Sequence, residues 1–321
     1  MNRRDFLKTS GLVLAAAATP FGHFALAGGS TLTLKIGYLP LTDHLLMIAA
    51  QREQFKSIRI EPVRFSSWPE IAEALKNGKI HGGFLLTPMG LALRQKGAPI
   101  KVVLLGHRNG SAITVKNSPD INRIADLRGK TVAIPSPFST HNLLLRKALS
   151  EKGLVPGRDV KVIDMAPPEM PVALATGRIH GFMVAEPFGA QAEAQKIGKI
   201  LVLSKDIWKD HICCTLNMQE KVIQSYPAEV QELIAGLIRT ASFIESKPAE
   251  AARVSVKILG QRPEIVEKVL TTPQDRLIFR NLAPSQADFA ATQDYMLKFG
   301  VAKDKVDLAG YLDDRFAKRK G

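Results

Sequence analysis

The stretch PSPFSTHN (135–142) brings Ser136, Ser139, Thr140 and His141 together where a β-branched run gives way to a helical one. The first turn of a helix carries backbone N–H groups without intrahelical partners, and the helix dipole adds positive potential there. Such a turn seats an anion without needing a charged side chain, and the three hydroxyls add rotatable donors. A serine at this place equally serves as a plain helix cap. His141 offers a donor whose charge depends on its surroundings, or an imidazole bonded within its own lobe. Other residues have comparable capacity. Leu41 and Thr42 end a strand and are wall candidates, although Thr42 or Asp43 is also a competent helix cap. Trp68, after Ser66 and Ser67, can cover a ligand with its ring or pack inside its lobe. Thr87 and Glu186 sit at strand ends, and Glu186 is expected to be paired or set aside from any anion.

His211, Cys213 and Cys214 raise the question of a metal. A zinc site needs four ligands, or three and a water, usually in paired spacings such as C-x₂₋₄-C. One H-x-C-C cluster standing alone does not meet that, so no metal and no cofactor is expected, and the cysteines are read as buried in a crossing segment. Neighbouring Cα atoms lie ~3.8 Å apart, too close for a relaxed disulfide between them. Neither G-x-S-x-G nor the phosphate-binding G-x-x-x-x-G-K-[ST] pattern occurs, and no catalytic residue is assigned.

The chain has 321 residues and a formal net charge of +14. Its beginning reads as a leader. Arg3-Arg4 precede the apolar GLVLAAAATPFGHFALA, and Ala25-Leu26-Ala27 offers a small-x-small cleavage site. Paired arginines there indicate the twin-arginine export route. Pro20 and Gly22 interrupt the apolar run short of the ~20 residues a membrane span needs. Segment 1–27 is therefore expected to be removed, leaving a soluble periplasmic protein. Export argues against a nucleic-acid partner, and the basic RFAKRKG (315–321) is read as a solvated tail.

The positioning elements alternate. Strands are expected at 32–39, 58–65, 82–86 and 101–107, with helices at 43–55, 69–78 and 88–97 between them. The pattern restarts with strands at 129–135, 159–165, 180–185 and 199–204 and helices at 139–153, 168–177 and 187–198, and is mostly helical after about 219. That order predicts α/β lobes with largely parallel sheets. ALKNGKIHGGFLLTP (74–88) returns 99 positions later as ALATGRIHGFMVAEP (173–187), which marks one helix–Gly–strand unit in each lobe. Gly78 and Gly177 are expected to end helices at positive φ, and Pro88 and Pro187 to start the next ones. Ligands of open α/β sheets sit beyond the carboxyl strand ends, so a shared cleft should pass Pro88 and Glu186. His81 and His180 precede their strands and should lie at the far end, in packing roles. Segments 107–117 and 210–218 are the expected crossings, giving lobe 1 as 28–110 with 217–321 and lobe 2 as 111–216.

IGYLPLTDHLLMIAA, SWPEIAEALKNGKIHGGFLLTPM, DLRGKTVAIPSPFSTHNLLLRKAL, GRIHGFMVAEPFGAQA and IWKDH resemble, in order, the periplasmic solute-binding proteins of ABC importers for nitrate, bicarbonate and organosulfonates. The resemblance runs from about 33 to 245. It implies a type II periplasmic-binding fold, two α/β lobes joined by a double-crossing hinge, and a helical C-terminal segment. It also implies a monomer without catalysis that delivers a small anionic solute to a membrane permease and its ATPase. PLTD (40–43) and WKDH (208–211) are most similar to the nitrate and bicarbonate branch. Trp68 matches the family's cleft tryptophan and His141 its helix-start histidine. Two positions depart. Ser111 stands where nitrate binders carry Gln, and Ile212-Cys213-Cys214 where they carry a Lys, which removes one charge partner for an inorganic anion; Ser111, His211 and Cys213 are still expected to line the cleft, a cysteine standing in for the missing Lys. A thiamine-pyrimidine-precursor-synthase-like enzyme and a receptor for a membrane sensor are the alternative functions.

Overall fold

Residues 31–318 are described by a computed structural model. The leader read at 1–27 and the end of the basic tail lie outside the described residues. Leucine- and β-branched-rich runs form β1 (Leu32–Tyr38), β2 (Ile58–Arg64), β3 (Gly82–Leu86), β4 (Ile100–Leu105) and β6 (Ser111–Lys116), with the two-residue polar β5 (Arg108–Asn109) between the last two. They continue as β7 (Thr131–Ile134), β8 (Lys161–Asp164), β9 (Gly181–Ala185), β10 (Gly198–Leu203), β11 (Cys214–Gln219) and β12 (Leu277–Ile278). One sheet has the order β2-β1-β3-β11-β4 and the other β10-β6-β9-β7-β8, with β12 and β5 forming a small ribbon between crossing and C-terminal segment.

Each sheet is mixed rather than largely parallel. β11 runs antiparallel to β3 and β4, and β6 antiparallel to β9 and β10. The reason is topological. β6 and β11 are the strands by which the chain passes between the lobes. A strand arriving from the other lobe enters at its neighbours' carboxyl ends and so runs against them. The return is complete by Cys214, which already pairs with Leu86.

The sequence repeat maps onto β3 and β9, and its residues do matching work. Gly78 and Gly177 have φ of 70° and 75°, and close their helices by donating to Leu75 O and Leu174 O. Gly82 and Gly181 open strands that press on the crossing strands. A Cβ would lie 3.2 Å from Asn217 O on Gly82 and 2.9 Å from Thr114 O on Gly181. His81 Nδ1 accepts from Lys35 N at 2.9 Å and His180 Nδ1 from Thr131 N at 3.1 Å. Each imidazole thereby satisfies a backbone donor of the neighbouring parallel strand, β1 or β7, the packing role expected.

Helix positions differ from expectation in one functional place. Segment 43–55 is not one α-helix. Thr42–Ile48 is a 3-10 turn and only Ala49–Arg52 is α-helical. Its cap position is Leu41 without a side-chain cap bond, so neither Thr42 nor Asp43 caps it. Both side chains are drawn inward instead and are fully buried. The helix after PSPFS runs Thr140–Ser150, capped by Ser139 Oγ, which accepts from Asn142 N at 3.0 Å. Long helices Pro227–Ser246, Pro248–Leu259 and Gln286–Lys298 form the C-terminal part. No helix of the described residues is long and apolar enough to cross a membrane.

Candidate functional site

The lobes meet where strand ends face each other. Thr42 donates through both its N–H, at 3.0 Å, and its Oγ1, at 2.7 Å, to Glu186 O. Matching bonds tie each strand end to a crossing. Thr87 N donates to Cys213 O and Glu186 N to Gly110 O, both at 2.8 Å. Asn109 and Gly110, at φ 58° and 90°, make the sharp bend of the first crossing, a conformation Asn and Gly tolerate best.

Beneath this seam lies a fully buried polar group made of Asp43, His44, Trp68, His107, His141, Cys213 and Cys214. Trp68 bridges the two sides, edge-on to His44 with centroids 5.9 Å apart and tilted against His141 at 5.7 Å. His44 stacks on Phe84 at 5.2 Å. Its Nδ1 accepts from Leu39 N at 2.8 Å, so in the neutral ring the proton sits on Nε2. That Nε2 and the Trp68 Nε1–H have no hydrogen-bond partner, and neither does His141 Nδ1. His141 Nε2 lies 3.0 Å from Ser111 Oγ and 3.8 Å from Cys213 Sγ. Buried donors without partners cost about 1–3 kcal/mol each, so a molecule that accepts from them gains what the empty site forgoes.

Charge is concentrated beside these donors. His107 Nε2 stands 3.0 Å from Asp43 Oδ2, yet the approach is not aligned as a hydrogen bond and both Asp43 oxygens stay unpaired. Burial opposes the imidazolium, but Asp43 outweighs it and lifts His107 to about 10. Burial raises Asp43 in turn. Burial would also raise both thiols. Around Cys213, the Cys214 thiol and the His141 and His107 rings reverse this and hold it well below the usual range, whereas Cys214 stays raised.

The structure distributes the sequence candidates unevenly. Trp68, Ser111, His141 and Cys213 come together in the buried group, with Leu41 and Thr42 at its edge. The hydroxyls of several others are already engaged. Ser139 Oγ donates to Ser136 O at 2.6 Å, Ser136 Oγ accepts from Phe138 N, Thr87 Oγ1 donates to Cys213 O, and Thr140 Oγ1 reaches Ile212 O at 3.4 Å. Glu186 is paired, accepting from Arg276 and from Ala190 N. His211 Nδ1 lies 2.7 Å from Trp208 O, its Nε2 is buried without a partner, and it is not among the four residues whose ligand atoms converge beside the cysteines. Asp43 carried only a capping role in the sequence, and His44, His107 and Arg276 carried none at the site. His107 follows a strand end, and applying the strand-end rule to β4 would have found it. Arg276, in the turn between helix Pro263–Thr271 and β12, carried no signal. A separate surface cavity of about 650 Å³, lined by residues such as Ile238, Glu245, Phe279 and Arg280, contains none of these unpaired groups.

The buried histidines set a pH dependence. Burial lowers His44 to about 3 and His211 to about 4. Below about pH 6.5 the unfolded chain protonates both while the folded one does not, so stability falls with pH by up to ~1.4 kcal/mol per unit for each. Asp43, with its raised value, opposes this in the same window by holding a proton only when folded. The net expectation is a loss of about 1–2 kcal/mol between pH 6.5 and 5, read from urea unfolding. A stability profile flat from pH 5 to 6.5 contradicts the neutral-histidine assignment.

Residues 1–20 match the model of the twin-arginine translocation pathway signal sequence, which directs the chain to the periplasm. The nitrate/nitrite binding protein NrtA of Nostoc sp. is 27% identical over 314 residues, covering 82% of this chain and 70% of its own length. The nitrate import ATP-binding protein NrtC of Synechocystis sp. is 28% identical over 268 residues, 77% of this chain, but the match spans only 39% of NrtC. Among solved structures, the ligand binding component of an ABC-type import system from Staphylococcus aureus with zinc bound superposes with a TM-score of 0.82 at 23% identity, covering 91% of this chain and 99% of that one. The periplasmic nitrate-binding protein NrtA from Synechocystis superposes at 0.83 with 18% identity, covering 89% and 87%. These two likenesses establish the fold, a periplasmic-binding arrangement of two α/β lobes. Residues 28–260 match the model of the NMT1-like family, and the chain belongs to that family.

Proposed function

We propose that this chain is the substrate-binding component of an ABC importer and captures a small anionic solute, of the nitrate, bicarbonate or sulfonate kind, between its lobes. One observation carries the reading: His44 Nε2, Trp68 Nε1 and His141 Nδ1 are buried without partners at the seam between the sheets. Two of them are neutral N–H donors, the chemistry that holds an oxyanion without a lysine. The relatives named for nitrate binding and nitrate import support the class of solute. In this reading residues 31–110, together with the segment from β11 onward, make lobe 1, the residues between them make lobe 2, and the two crossings are the hinge. The partners are a membrane permease and its ATPase, the chain acts as a monomer, and it turns nothing over.

The test is thermal denaturation and calorimetry of the mature chain with nitrate, bicarbonate, alkanesulfonates, taurine and small carboxylates. A solute at 100 times its Kd adds about 2.7 kcal/mol of stability. His141→Ala should abolish that gain while the protein stays folded. No shift with any of these solutes, or an unchanged one in His141→Ala, sinks the reading.

A further inference from the structure

Asp43, His107, Cys213 and Cys214 each offer a ligand atom, and these atoms lie within 4.8 Å of one another. All four side chains are fully buried. They come from three separate places in the chain: the turn after β1, the end of β4, and the start of β11. His107 immediately precedes the first crossing and Cys213 ends the return. The apposition of an acid, an imidazole and two thiols is therefore a product of the hinge, not of a local loop.

We propose that these four residues bind one thiophilic divalent cation of the Zn²⁺ class and that this ion fastens both crossing segments to the first helical turn. The donor set selects the metal. Two sulfurs and an imidazole favour a borderline-soft ion over Mg²⁺ or Ca²⁺, which take oxygen ligands. Four donors complete a tetrahedral shell, as in sites that hold an ion rather than present it to a substrate. A tetrahedron with Zn–S of about 2.3 Å has edges near 3.8 Å, so the side chains need close by only about 1 Å.

Two further observations support an ion. Both Asp43 oxygens and both His107 nitrogens are buried without a hydrogen-bond partner, and a metal takes up a carboxylate oxygen and one of the two ring nitrogens. Both cysteines are free, in a chain with an export signal. An oxidising compartment normally consumes thiols as disulfides, and a relaxed bridge between adjacent residues is geometrically excluded. A bound ion gives the two thiols a stable state. The ligands bind in their deprotonated forms, so binding releases protons and tightens with rising pH.

The inference is independent of the solute reading, because its readout contains no solute. Reduced, metal-free mature chain is titrated with Co²⁺, followed by displacement with Zn²⁺. The expected result is one Co²⁺ per chain with visible tetrahedral bands and a near-ultraviolet thiolate-to-cobalt band, both lost on adding Zn²⁺. Removing an outer-shell partner already costs about 10–100-fold in affinity, so Cys213→Ser/Cys214→Ser should weaken Co²⁺ by more than 100-fold. Where that double variant fails to fold by circular dichroism, Asp43→Asn/His107→Gln supplies the comparison, with loss of the tetrahedral bands expected. No thiolate-to-cobalt band in the reduced protein, or an unchanged Co²⁺ affinity in a folded variant, overturns the proposal. Loss of the solute-induced thermal shift alone leaves it standing and counts only against the importer reading.

Discussion

Arg276→Ala is expected to lower the unfolding free energy by about 3–5 kcal/mol, the cost of leaving one member of a buried ion pair alone. Arg276 and Glu186 are 3% and 0% exposed, so water cannot replace either partner. The guanidinium also donates to Thr272 O at 3.0 Å, and Arg276 O accepts from Gly110 N at 2.9 Å, so one residue ties lobe 2, the C-terminal segment and the first crossing together. Glu186 in turn carries the Thr42 bonds through its carbonyl. Urea unfolding measures the loss. The double change Glu186→Leu/Arg276→Met should recover much of it, because removing both charges removes the uncompensated one. A single-variant loss under 1 kcal/mol would show that the pair is wetter than its burial indicates.

Trp68 separates packing from recognition. Trp68→Ala opens a cavity at a residue with no exposed surface and should cost about 3–5 kcal/mol. Trp68→Phe keeps most of the ring against His44 and His141 but deletes the unpaired Nε1–H. Its stability should fall by no more than about 1.5 kcal/mol, in line with near-conservative core exchanges. Solute affinity should fall about 10–100-fold, since hydrogen bonds to charged groups are worth about 1.5–3 kcal/mol. Calorimetry on the two proteins decides it. If Trp68→Phe binds as the parent does, the indole is only a packing element and the oxyanion is held elsewhere.

PSPFSTHN shows where a sequence reading holds and where it stops. The strand-to-helix junction and the Ser139 cap follow from local preferences, since a serine with extended backbone before a helix satisfies its own third amide. The hydroxyls suit a ligand seat, yet in the folded chain Ser136 Oγ is taken up by Phe138 N and Ser139 Oγ by Ser136 O and Asn142 N, and the unpaired group of this stretch is the buried His141 Nδ1. Thr42 and Asp43 went the other way. Their types suit a cap, but the turn is 3-10 and both are buried, because Glu186 and His107 arrive from remote parts of the chain.

By itself the sequence determined the twin-arginine leader, the two-lobe α/β order, and the repeated Gly–strand units with their matched histidines. These depend on hydrophobic periodicity and on glycine's access to positive φ, both properties of short windows. Tertiary structure alone decided that the crossing strands run antiparallel, that Arg276 answers Glu186, and that Asp43 and His107 meet Cys213 and Cys214. Those contacts join residues from 64 to 171 positions apart. No local preference encodes such distances; they exist only once two sheets fold against a shared hinge and exclude water from what lies between them.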